Sequence, residues 1–160
     1  MKEVKVTSTV TVYDNMSQLS LIEQTVMKKA IDMLDNVYAP YSEFYVGAAV
    51  LTDAGNIYGG CNQENASYPL CMCGERVALY NAGANEPNTP IQVLAIAVHN
   101  PKKFIDKPIS PCGACRQVIS EFAMRHKQDF PILLKGGGEM IYRLESSKEL
   151  LPFGFDSKYL

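Results

Sequence analysis

The chain has 160 residues, 47% of them apolar and 20% charged, which is enough for one domain with its own core and unlike a disordered chain. Fifteen basic against seventeen acidic side chains leave a net charge of -2, and that balance argues against a nucleic-acid partner, whose phosphates require a basic surface. Five cysteines are an odd number, so a closed disulfide set is excluded and the thiols read as metal ligands, nucleophiles or core residues of a reduced, cytoplasmic protein.

Residues 4–13 alternate and are rich in valine and threonine, which predicts a strand. Ser20 and Glu23 have the spacing of a capping box, and Ile22, Val26, Ala30, Leu34 and Val37 follow as an apolar helical stripe that ends before Pro40. Phe44 to Leu51 reads as a buried strand, Asp53-Ala54-Gly55-Asn56 as a hairpin turn, and Ile57 to Gly60 as the partner strand. A second helix is predicted from Gly74-Glu75 to Ala82, closed by Gly83. Ile91 to Val98 is strongly apolar and reads as a central strand buried on both faces. A loop over 100–111 leads to a third helix from Gly113 to His126. Strands over 132–134 and 140–144 flank Gly136-Gly137-Gly138, and a short helix near Ser147 to Leu151 ends at Pro152. Alternating helices and strands give an α/β layered domain with a mixed sheet spanning 1–160. Met1 to Lys5 leads into no signal-peptide segment, and no apolar run has membrane-spanning length, so no membrane partner is expected.

The chemistry concentrates in Cys73-Gly74-Glu75 and Pro111-Cys112-Gly113-Ala114-Cys115, each at a predicted helix start. Free N–H groups and the positive dipole end favour thiolate there. Three thiolates with a fourth position open are the arrangement of a catalytic zinc, which would make a bound water acidic. Glu75 would face that position and move protons. The order Cys-x-Glu, then Pro-Cys-x-x-Cys, is the signature of zinc base deaminases. The only histidines, His99 and His126, lie outside it, so a zinc here has three cysteine ligands. A competing reading adds Cys71, two residues before Cys73, to make a closed four-cysteine structural site. Cys61 and Cys71 otherwise read as small packing residues.

From Tyr38 to Phe155 the chain resembles the small homotetrameric cytidine deaminases. The matching segments are 41–49, 60–68, 73–79 and 110–118, closed by Leu150-Leu151-Pro152-Phe153-Gly154-Phe155. The resemblance implies a three-layer α/β/α sandwich, one zinc per chain on Cys73, Cys112 and Cys115, and a proton shuttle at Glu75. It implies hydrolysis of cytidine or deoxycytidine to the uracil nucleoside and ammonia, as in pyrimidine salvage. Asn62 and Glu64 would hold the ribose hydroxyls, and Phe44 would pack on the base. Tyr68 and Phe155 would help to build a neighbouring subunit's pocket in a homotetramer. Arg76 and Arg116 are expected to donate to the thiolates and offset their charge. The chain departs from the family at Gly74, usually Ala, and at Pro69-Leu70-Cys71-Met72, which leaves another aminated pyrimidine or related ring open as the substrate. It is also longer between Gly83 and Ser110, and residues 1–18 form an N-terminal extension expected to add a strand.

Overall fold

The computed structural model describes residues 1–160 apart from the side chain of Tyr159. Six strands form one sheet: β1 (Thr11–Tyr13), β2 (Tyr45–Thr52), β3 (Ile57–Cys61), β4 (Ile91–His99), β5 (Ile132–Lys135) and β6 (Ile141–Leu144). Their order is β1-β6-β5-β4-β2-β3. β4 and β5 pair in parallel, and the other neighbours are antiparallel, so the sheet is mixed. As its apolar run from Val93 to Val98 predicts, β4 is covered on both faces. Leu94 and Ile96 join one core, Val93, Ala95 and Ala97 the other.

The helices are α1 (Leu21–Asp32), α2 (Gly74–Asn85), α3 (Gly113–His126) and the single turn α4 (Ser147–Leu150). α1 lays Val26, Met27 and Ala30 on one face of the sheet. α2 and α3 lay Ala78, Leu79, Ala82, Ile119 and Phe122 on the other. Three layers result, with α2 and α3, the helices that start at the two cysteine motifs, on the same side.

The capping box forms as predicted: the Ser20 hydroxyl accepts from the Glu23 N–H, and Glu23 accepts from the Ser20 N–H. Glu23 also pairs with Arg143 of β6 at 2.7 Å, tying the start of α1 to the sheet. Ser20→Ala should cost about 1 kcal/mol in urea unfolding. Burial raises the Glu23 pKa, but the hydrogen bonds of Arg143 and Ser20 outweigh it and hold the carboxyl below its usual value. A depressed folded pKa stabilises above the unfolded value and loses that contribution as pH falls through the folded one. The stability gap between wild type and Glu23→Gln should therefore narrow in acid.

Three boundaries differ from expectation. The strand predicted over 4–13 forms only at Thr11–Tyr13, because its partner β6 has just four residues to pair with. Ile22 of the apolar stripe is exposed above an open groove beside Leu51 and Ile57, and the helix tightens into a 3-10 turn at Met33–Asn36. α2 does not stop at Gly83. A Cβ there would stand 3.0 Å from Cζ of Phe122, so this glycine admits α3 rather than ending α2. The hairpin turn keeps its expected form, with Gly55 at φ +85°.

Candidate active site

Cys73 and Cys112 are the N-cap residues of α2 and α3, and neither side chain caps its own helix. Both sulfurs are thereby left to face each other across the gap between two positive helix ends. Cys73 Sγ stands 3.9 Å from Cys112 Sγ, and Cys112 Sγ stands 3.5 Å from that of buried Cys115. Among the described residues this trio is the cluster able to hold a metal. Sulfurs on a tetrahedral zinc with bonds of about 2.3 Å lie about 3.8 Å apart, so the spacing fits the ion. Cys73 is pulled down to about 5 by the hydrogen bond of Cys115, with Arg76 adding to the effect. Cys115 is pushed up as the other half of that shared hydrogen bond.

Glu75, on the first turn of α2, is 4% exposed, and its Oε2 has no hydrogen-bond partner. Burial pushes its pKa up to about 7, and the neighbouring Cys73 charge adds to the rise. A buried carboxylate oxygen left without a partner is costly unless something else occupies its lone pairs. Here it borders a cavity of about 410 Å3. Gly74 lets the first turn of α2 lie close against β2: a Cβ there would lie 2.5 Å from the Val46 carbonyl oxygen. Gly74→Ala should force α2 away from β2, costing about 1–3 kcal/mol in urea unfolding and lowering zinc retention.

The cavity wall comes from β2 and the segment after β3. Phe44, Val46, Asn62 and Glu64 line it together with Cys73, Glu75 and Cys112. Asn62 is buried and braces the start of β2: Nδ2 donates to the Phe44 carbonyl at 2.8 Å, and Oδ1 accepts from the Val46 N–H at 2.9 Å. One amide hydrogen and one lone pair remain for a ligand. Glu64 Oε2 accepts from the N–H groups of Tyr41 and Ser42. Desolvation raises its pKa, but the hydrogen bonds of Ser42 and Tyr41 hold it below the usual value and keep it anionic.

Tyr68 and Phe155 lie outside this cavity, both largely exposed. Tyr68 stands against Tyr41, ring centroids 5.7 Å apart, in a shallow depression shared with Glu64. The two arginines divide. Arg76 Nη2 reaches Cys73 Sγ at 3.7 Å, as expected. Arg116 instead donates to the carbonyls of Pro111 (2.8 Å) and Leu150 (3.0 Å), fixing the turn that carries Cys112. Cys71 is half-buried rather than core. Its sulfur is engaged by the backbone of Asn65, and it stands apart from the trio. Sequence reasoning left Ser42, Ile109 and Ser110 without roles, yet all three line the cavity. Ser110 had a signal, its place one residue before Pro111 and the ligand turn. Ile109 had none.

Residues 21–128 match the family described as the cytidine and deoxycytidylate deaminase zinc-binding region. A cytidine deaminase of Halalkalibacterium halodurans is 39% identical over 84% of this chain and 95% of its own length. One from Sporosarcina psychrophila is 38% identical over 79% of this chain and 85% of its own. The crystal structure of a Burkholderia pseudomallei cytidine deaminase superposes with a TM-score of 0.68 at 38% identity, covering 82% of this chain and 97% of that one. No described helix is long and apolar enough to cross a membrane. Since the family match over residues 21–128 takes in Cys73, Glu75, Cys112 and Cys115, the chain belongs to the cytidine and deoxycytidylate deaminase zinc-binding family.

Proposed function

We propose that the chain is a zinc-dependent hydrolase that converts cytidine and deoxycytidine to uridine and deoxyuridine, releasing ammonia. The observation that carries this reading is Glu75 Oε2, buried and unpartnered beside three convergent sulfurs. Cys73, Cys112 and Cys115 hold one zinc, which supplies a water acidic enough to react near neutral pH. Glu75 takes one proton from the attacking water and gives it to ring nitrogen N3, then takes the second from the new C4 hydroxyl and gives it to the amino group, so that the C4–N bond breaks, the C4 carbonyl forms and ammonia leaves. Its raised pKa suits a group that must both accept and return a proton. Asn62 and Glu64 receive the ribose hydroxyls, and Phe44 packs on the base. Arg76 offsets the thiolate charge, while Arg116 positions the ligand turn.

The protein works in the cytoplasm as a homotetramer with no nucleic-acid partner. The exposure of Tyr68 and Phe155 suits rings that complete a neighbouring subunit's pocket. Cys71 and Met72, from the segment that departs from the family pattern, line the cavity and bear on base preference. Ammonia release from cytidine, deoxycytidine and other aminated rings tests the substrate. Turnover should be highest with the two cytosine nucleosides, and a strong preference for another ring would replace them as substrate.

A further inference from the structure

We propose that residues 4–12 pair antiparallel with the same residues of a second copy of this chain, about a twofold axis at Ser8, and so join two sheets into one. β1 is the terminal strand of its sheet and has β6 on one side alone. Upstream of it the chain stays exposed, with Val4 77%, Val6 47% and Val10 43% accessible. Edge strands are normally blunted by charge or proline. Residues 4–13 contain no proline and a single charge, Lys5.

The occupant follows from the sequence of the segment itself. A twofold interface must be self-complementary. Val4-Lys5-Val6-Thr7-Ser8-Thr9-Val10-Thr11-Val12 is nearly a palindrome about Ser8. Antiparallel pairing centred there sets Val4 against the partner's Val12, Val6 against the partner's Val10 and Thr7 against the partner's Thr9. Beyond the valines, Lys2 falls opposite the partner's Asp14, so the ends match in charge. Centring on Thr7 instead would set Val6 against serine and Lys2 against valine.

The backbone agrees with this register. Thr9 N–H donates to the carboxylate of Glu149 on α4, the element that follows β6. Once the segment is extended as a paired strand, its N–H and C=O groups alternate sides, which sets those of Val4, Val6, Ser8, Val10 and Val12 toward the free edge. A centre at Ser8 sets even residues against even residues, which is the bonded arrangement. The side chains are sorted as well. Tyr13 lies opposite Ile141 in the α1 layer, and Thr11 lies opposite Arg143, which reaches Glu23 of α1. The valines therefore occupy the other face, where those of two copies form one apolar stripe. The segment precedes residues 21–128, the region that the family model matches.

Cysteine cross-linking of the full-length zinc-loaded protein tests the register. Paired residues sharing both hydrogen bonds have Cα atoms about 5.5 Å apart, within the span of roughly 4.4–6.8 Å that a disulfide bridges. Under mild oxidation Ser8→Cys should gain a covalent dimer, whereas Thr7→Cys and the wild type, which controls for the five native cysteines, should not. Adding Val10→Pro to Ser8→Cys removes an outward N–H and should abolish the cross-link without changing the unfolding midpoint. Equal cross-linking of Ser8→Cys and Thr7→Cys, or a cross-link that survives Val10→Pro, would overturn the proposal. Neither result bears on deamination, which ammonia release reports separately.

Discussion

Glu75→Gln should keep its zinc and lose turnover by at least about 10²–10⁴-fold, the usual worth of a positioned acid–base group. Glutamine preserves the shape of a side chain that is 4% exposed, and Glu75 is not one of the three sulfur ligands. What disappears is the ability to accept a proton from water and release it to the base and the amino group. Ammonia release from cytidine, measured beside zinc content per chain, separates this loss from a loss of metal. Turnover near that of the wild type would overturn the assigned shuttle.

Cys115→Ala should have a still broader effect, because it removes a ligand rather than the group that works beside the metal. Cys115 is fully buried in the first turn of α3, where no other described cysteine stands close enough to replace it. Zinc affinity should fall by more than the roughly 10–100-fold typical for loss of a group that merely supports a ligand. Zinc content after dialysis should drop from one ion per chain toward none, and ammonia release should fall to background. Cys71→Ser makes the contrast. Its sulfur bonds to the backbone of Asn65 outside the trio, so zinc content should stay unchanged. Loss of zinc in that variant would restore the four-cysteine reading.

Much of this site was legible before the fold was known, because its chemistry is written in short spacings. Cys73 and Glu75, then Cys112 and Cys115, each sit within one helical turn, and local geometry decides where such residues point. The boundaries of α3 and the double burial of β4 followed from equally local patterns. Failures came where a residue's role depends on a distant partner. The length of β6 limits β1, though nothing near residue 4 encodes it. Arg116 bonds the Leu150 carbonyl, 34 residues away, instead of a thiolate. Gly83 looked like a stop signal because its reason for being glycine, the ring of Phe122, lies on another helix. The bracing of β2 by Asn62 was hidden in the same way, since it depends on how β2 meets the residues after β3.

Cys73 and Cys112 meet although 39 residues separate them in sequence. A metal joining them would act as a covalent-like clip on a long loop that contains all of α2 and all of β4. In the unfolded chain such a clip removes conformational freedom, and for a crosslinked loop of this length the chain-entropy model gives about 3–5 kcal/mol. Sulfurs that hold the ion would thus also restrain the strand at the centre of the sheet. Chelation should therefore lower the thermal midpoint of the whole protein as well as stopping its chemistry.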